Sequence, residues 1–533
     1  MIELWQLTDQ ELAARMVDYI VRLERLMDEV SDILNGKGRV KDAVRYSYKR
    51  LKAEINADAH YVSLMRNKCY IAVEDSANEL LLIAISAIGN ISAEVLNENN
   101  PYRIISAEKK AELEFASRYF DAFLQSKLEP SYPQYYLLLG AVAYYLCDYT
   151  GSAKVMAKKL VVDTLDFGCN GLEIALALLL QDQINGENIA PHIEESSYKH
   201  YLYQVAVAYD TWFQQQQTVE LNFIEEFRSL IYSQGSSREL LLVDAMLAIL
   251  LIKMERSARN LLPIYSGLET SAWEGLLLGK SILELWPAQI RLGEAGVFSG
   301  KSAIIQTPTS SGKTTSMSIA IRSAFLAKRT SLAIVVAPFR ALCREISTDI
   351  ANDFLDSQHV HVNALSDILE IEDFTGLQEF FSEENKNIVV LTPEKLIYLL
   401  RQDATLIGDA GLIIFDEAHM FDDATRGAHY ELLISTIMMH VGKGTQKLLL
   451  SAVIPNAAQI NDWFTGGEGA VIADNSIRAT EKSIAVTDWS NRLGYLYFLD
   501  SENRNDLEFY VPRIIEIQAL NRLGREAKER FLP

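Results

Sequence analysis

Cysteine is scarce. The four in 533 residues, Cys69, Cys147, Cys169 and Cys343, lie far apart. They offer neither the paired spacing of a metal site nor a disulfide framework, which excludes a small stapled domain. Long apolar runs are lacking too. The nearest, Leu240 to Ile252, carries Asp244 and is shorter than the roughly 18 residues of a membrane span, so it reads as a buried helix. No basic, apolar leader follows Met1, where Glu3 stands instead; this predicts a cytoplasmic protein with no membrane association. Positive charge is also short. Lys and Arg number 50 against 71 Asp and Glu, a formal net charge of −21. Such a balance argues against a broad cationic surface for nucleic acid, though binding of that kind can use a narrow track of backbone amides, hydroxyls and a few arginines.

What is present falls into three stretches. Residues 1–280 are helical in pattern, with apolar positions at helical spacing from Met1 to Leu34, Asp42 to Ile55, Glu74 to Leu96, Ala107 to Leu128 and Gln134 to Cys147. The same spacing continues over Ser152 to Leu160, Gly171 to Ile184, Ser197 to Gln215, Val219 to Tyr232, Ser237 to Lys253 and Ser271 to Trp286. Breakers such as Glu129-Pro130 and Gln234-Gly235-Ser236 separate these helices. Within them His192, His200, Tyr203, Glu194 and Glu195 form no catalytic or metal pattern.

Residues 281–480 change character. Short apolar strands near Ser302 to Gln306, Leu332 to Ala337, His359 to Ala364, Ile388 to Leu391, Leu412 to Phe415 and Leu448 to Leu450 alternate with helix-like segments. That alternation predicts an α/β lobe with a parallel sheet covered on both faces, its loops of interest on one edge. Residues 481–533 lean toward β structure at Ser483 to Val486, Tyr495 to Leu499 and Leu507 to Val511, a small hairpin insertion with a turn at Asn503 to Asp506. Ile514 to Arg530 then reads as a helix.

Two sites carry chemistry. Thr307-Pro308-Thr309-Ser310-Ser311-Gly312-Lys313-Thr314 lies between the first strand and a helix-forming stretch beginning at Thr315. Small residues with Gly312 let backbone amides converge on phosphate, Lys313 reaches the outer phosphates, and the Thr314 hydroxyl suits Mg²⁺. Thr307 stands where the usual phosphate loop begins with Gly. About a hundred residues on, the strand Leu412 to Phe415 delivers Asp416-Glu417-Ala418-His419. Asp416 suits a magnesium ion, and Glu417 suits the water that attacks a γ-phosphate.

Shorter matches keep the same order: Leu285-Trp286-Pro287-Ala288-Gln289, Ala337-Pro338-Phe339-Arg340, Leu391-Thr392-Pro393-Glu394-Lys395, Arg426-Gly427 with Glu431, Ser451-Ala452-Val453, and Ile477-Arg478-Ala479-Thr480. Together with the two sites, this series resembles the DExH-box helicases of superfamily 2, in their superkiller-like branch. The resemblance covers the stretch 281–480 and implies a RecA-like lobe that binds ATP with Mg²⁺. It implies that Gln289 reads the adenine base, that Pro338, Arg340, Thr392 and Pro393 hold the nucleic-acid backbone, and that His419 links the nucleotide to the Ser451-Ala452 loop. Thr307, Thr309, Ser310, Ser311, Gly312, Lys313, Thr314 and Thr315 become the nucleotide cradle, and Lys313, Asp416, Glu417 and His419 the catalytic set.

Two departures limit the carry-over. Asn363-Ala364-Leu365-Ser366-Asp367 stands where the family has a Thr-Gly-Asp contact, so that contact is not assigned. The family's second lobe, with its arginine finger, is not among these residues, and such an arginine contributes about 10³ to 10⁵ in rate; the expectation is ATP binding with slow hydrolysis. The layout, a long helical front before a motor lobe, resembles the helicase subunit of Hachiman anti-phage systems, which works beside a nuclease subunit. That resemblance implies DNA in preference to RNA and a nuclease partner docking on the helical front. The competing reading is an ATP-sensing interaction scaffold that separates no strands.

Overall fold

The computed structural model describes residues 77–97, 103, 105–125, 133–279, 282–308, 311–357, 359–364, 386–402, 407–419, 427–442, 444–452, 454, 456–473, 484–490, 493–499, 507–512, 515–516 and 530–531. These fall into two compact units, one drawn from Met1–Asp210, Val219–Ile252 and Glu481–Pro533, the other from Thr211–Thr218 and Lys253–Thr480. The helices expected over Met1 to Leu34 and Asp42 to Ile55, the Asn503 to Asp506 turn and Ile477 to Thr480 lie outside the described residues.

The first unit carries helices α1 (Ala77–Val95), α2 (Ala107–Gln125), α3 (Pro133–Leu146), α4 (Thr150–Ala157) and α5 (Leu172–Leu180). It continues through α6 (Lys199–Phe213) as far as Asp210, α7 (Phe223–Gln234), and α8 (Ser237–Glu255) as far as Ile252. Most follow the helical spacing of their apolar residues. In α8 the span Leu242–Leu250 is buried on all sides, as its unbroken apolar run requires. Asp244 is tolerated there because Arg228 Nε and the Tyr232 hydroxyl donate to its carboxylate at 2.8 and 2.6 Å. Residues 484–490, 493–499 and 507–512 form an antiparallel three-stranded sheet, one strand for each of the three β-leaning runs of the expected insertion. Of the helix expected over Ile514 to Arg530, only the two ends are among the described residues, and there Ile515–Glu516 pairs antiparallel with Arg530–Phe531.

The second unit is built on a seven-stranded parallel sheet. Its strands are β1 (Ala303–Gln306), β2 (Leu332–Val336), β3 (Val360–Ala364), β4 (Lys386–Leu391), β5 (Ala410–Phe415), β6 (Gln446–Ser451) and β7 (Ala470–Ala473), in the order β3-β4-β2-β5-β6-β1-β7. Alternate residues feed separate cores. Ile305, Val335, Ile414 and Leu450 pack with Ile319 and Phe325 of α11 (Lys313–Leu326) and Ile346 of α12 (Arg340–Asp353). Ile304, Ile334, Ile413 and Leu449 pack with Leu399 of α13 (Pro393–Gln402), Ile434 of α14 (Gly427–His440) and Phe464 of α15 (Ala457–Thr465). Each such side chain stabilises the lobe by about 1.5–3 kcal/mol, so neither face could be left to water. Arg322 on α11 reinforces one face, donating to both carboxylate oxygens of Asp356 at 2.7 Å while lying over the Phe354 ring. Burial pushes the Asp356 carboxyl up, but Arg322 more than offsets it and the net shift is downward.

One expected helix is corrected. Ser271 to Trp286 is not continuous: a 3-10 turn and the short helix Glu274–Gly279 give way to an extended segment whose Leu285 N–H donates to the Arg256 carbonyl at 2.8 Å. Trp286 precedes Pro287, whose ring disfavours helical backbone before it, and it sits at φ −79°, ψ 163°. Before that segment lies α9 (Ala258–Ser266), and after it α10 (Pro287–Glu294), with proline in its tolerated opening position. Among the described residues no helix is long and apolar enough to cross a membrane.

Candidate active site

β1 ends beside β6, and β6 lies between β1 and β5. The loop after β1 and the acidic turn after β5 therefore emerge on the same edge, with the end of β6 between them. Ser451, fully buried at that end, ties both. Its carbonyl accepts the Thr307 N–H at 3.0 Å, and its hydroxyl accepts the His419 N–H at 3.2 Å. Ala452 follows half-buried, while Val453 lies outside the described residues.

The phosphate loop turns on Gly312, whose left-handed φ of 80° favours glycine. A Cβ there would stand 2.5 Å from Gln289 Nε2. Gln289 itself is buried, its Nε2 donating to the Gly312 carbonyl at 3.1 Å and its Oε1 accepting the Trp286 N–H at 2.7 Å. The side chain expected to read a base thus holds the loop backbone. Thr314 and Thr315 lie half-buried in the first turn of α11, where amides and the helix dipole favour an anion. Thr309 and Ser310 lie outside the described residues.

Asp416 is anchored through its N–H to the Val336 carbonyl at 2.9 Å and is 4% exposed. Burial and then the adjacent Glu417 push its carboxyl up to about 6, against the opposing charge of Lys313, a bond from the Glu417 backbone and His419. Glu417 adopts φ 51°, a left-handed conformation that costs a side-chain-bearing residue about 1–2 kcal/mol. From there its Oε1 lies 3.5 Å from Lys313 Nζ and its Oε2 3.1 Å from His419 Nδ1. The His419 ring is half exposed.

Several polar atoms on this edge are buried with no hydrogen-bond partner: Ser311 Oγ, Lys313 Nζ and Asp416 Oδ1. Ser311 Oγ and Asp416 Oδ1 each cost about 1–3 kcal/mol in that condition, a cost that a bound group can remove, while Lys313 Nζ has the Glu417 carboxylate at 3.5 Å. An ammonium, a hydroxyl and a carboxylate oxygen, grouped at a helix N-terminus, fit a nucleotide phosphate chain with its magnesium ion. Among the described residues no cluster of three His, Cys, Asp or Glu forms a metal cage.

Further along the edge, Pro338 is buried and Arg340 opens α12 exposed to solvent. Thr392 caps α13, its hydroxyl accepting the Lys395 N–H at 3.4 Å, and Pro393 is buried at the helix start. Lys395, which the sequence reading did not single out, belongs with them. Its ammonium is lowered by burial and then by the charge of Arg340, so two cations share this part of the edge. The signal available was its place in the Thr392-Pro393-Glu394-Lys395 run.

Residues 286–460 match the DEAD/DEAH box helicase family model. The chain is similar to the ATP-dependent DNA helicase Hel308 of Pyrobaculum calidifontis, 30% identical over 207 residues that cover 38% of this chain and 26% of that protein. It is also similar to Hachiman protein HamB of Bacillus cereus, 26% identical over 263 residues, covering 48% and 22% respectively. A crystal structure of DUF1998 helicase MrfA bound to DNA and AMPPNP aligns with a TM-score of 0.32 and 19% identity, over 38% of this chain and 29% of that one. The matched part spans about a quarter of the length of these curated relatives.

Proposed function

From the match of residues 286–460 to the DEAD/DEAH box helicase family, we propose that the protein is an ATP-dependent helicase or translocase of superfamily 2 that couples ATP hydrolysis to movement on nucleic acid. The observation that carries the reading is the meeting of Lys313 Nζ and Glu417 Oε1 at 3.5 Å beside the buried, unpartnered Asp416 Oδ1. Lys313 binds the outer phosphates, and Gly312 with the amides at the start of α11 cradles the rest. Thr314 and Asp416 hold magnesium, which when bound neutralises phosphate charge. Glu417 orients the attacking water and takes its proton, with His419 beside it. Ser451 joins the two loops, so a shift in either reaches the other.

DNA is the favoured substrate, supported by the similarity to a DNA helicase. Pro338, Arg340, Thr392, Pro393 and Lys395 are the proposed backbone contacts. The similarity to HamB supports a role in anti-phage defence, with residues 1–280 as a docking region for a nuclease partner and 281–480 as the motor lobe. Cytoplasmic work is part of the proposal, and the described cysteines, Cys147, Cys169 and Cys343, are free thiols. The net charge of −21 favours the second reading, an ATP-responsive scaffold.

ATPase assays with and without DNA separate the two. The helicase reading expects stimulation by polynucleotide, and Glu417→Gln should lower turnover by about 10²-fold or more while Mg-ATP still binds in calorimetry. Turnover indifferent to DNA and RNA favours the scaffold. No nucleotide binding at all would end both readings.

A further inference from the structure

The left-handed backbone of Glu417 requires something to hold it, since a residue with a side chain relaxes toward negative φ when free to do so. The bond whose rotation defines that φ follows directly on the peptide between Asp416 and Glu417. Turning this peptide plane changes φ of Glu417 and re-aims its carboxylate. The Asp416 N–H, on the preceding peptide, is fixed by Val336, and the His419 N–H, beyond the turn, by Ser451. The carbonyl of the critical peptide, that of Asp416, accepts from the Tyr430 hydroxyl at 3.2 Å.

We propose that Tyr430 is a positioning residue for the Glu417 carboxylate, acting through the Asp416 carbonyl. The inference rests on the nucleotide reading of the site. Tyr430 is 3% exposed on α14, its ring edge-on to Phe415 with centroids 6.3 Å apart. The same helix presents Leu433, Ile434 and Ile437 to that core, so an aliphatic side chain could fill the space. Only the hydroxyl makes the bond to the acidic turn. The N–H of the same peptide, that of Glu417, turns to the Asp416 carboxylate within the turn, so the Tyr430 hydroxyl is what ties this peptide to a neighbouring helix.

The test is Tyr430→Phe in the full chain, with turnover measured at saturating Mg-ATP. Loss of the hydroxyl should lower kcat by roughly tenfold, while KM for ATP and calorimetric Mg-ATP affinity stay within about twofold, because Lys313 and the phosphate loop are untouched. Ile437→Val controls for a weakened core: it trims the same cluster without touching the bond, and it should keep wild-type kcat. If Tyr430→Phe retains the wild-type kcat, or if Ile437→Val loses as much turnover as Tyr430→Phe, the positioning role is overturned while the nucleotide reading stands. A wild-type chain that neither binds nor hydrolyses ATP overturns the nucleotide reading and this inference with it.

Discussion

Asp244 in the helical unit and Asp416 in the sheet unit are 3% and 4% exposed, yet their surroundings differ in kind. Asp244 accepts from Arg228 and Tyr232 on the neighbouring helix, so its charge is neutralised and its oxygens occupied within the unit. Asp416 has Glu417 beside it, keeps Oδ1 without a hydrogen-bond partner, and is pushed up to about 6. Burial alone therefore does not mark function. What distinguishes the two is whether the fold itself satisfies the buried charge; where it does not, the fold holds the group for something else.

Substituting each aspartate sharpens that contrast. Asp416→Asn should lower ATP turnover by about 10²-fold or more, yet leave the melting temperature equal or higher, because it removes an unfavourably buried charge. A sharp fall in melting temperature would place Asp416 with Asp244 as a structural residue. Asp244→Ala should do the reverse. It strands Arg228 and should cost about 3–5 kcal/mol in urea denaturation, with Mg-ATP affinity unaltered in folded protein. Altered nucleotide affinity would break the comparison from the other side.

A smaller effect is expected from pH. The Asp416 carboxyl has its folded value raised above the ordinary value of about 3.9. Its contribution to stability is fully present below about pH 4 and is lost as pH rises through about 6. Magnesium needs the deprotonated form, so Mg-dependent nucleotide affinity should fall about tenfold per unit below pH 6 and level off above it. Calorimetry across pH 5 to 8 with Mg-ATP reads this out, and a flat profile would mean that Asp416 does not hold the ion.

Much of the sheet unit was legible in the sequence because its strands are runs of β-branched and aliphatic residues too short for helices, as in Leu332 to Val336. The rule that loops of interest follow strand ends then foretold that Lys313 and Glu417 would share an edge. Other features were set by contacts the sequence does not display. Ile282 and Leu285 continue a helical spacing, but Pro287 and pairing to Arg256 make their segment extended. α9 contains Pro263, which reads as a breaker, and β7 is four residues long behind Gly466, Gly467 and Gly469. Gln289, which the resemblance assigns to the adenine base, also donates to the Gly312 carbonyl, a contact that its motif does not display. The Tyr430 bond arises only because α14 packs back against the strand that ends in Phe415.

The intervening strand β6 has one more consequence. Neighbouring strands stand about 4.8 Å apart, so the ends of β1 and β5 are separated by roughly 10 Å. That interval is a ruler made of peptide groups, and the reach of Lys313 and Glu417 across it closes the gap to 3.5 Å. Shortening either side chain by one methylene would open the gate by more than an ångström without moving a strand, whereas no exchange of side chains alone could reset the width of the frame.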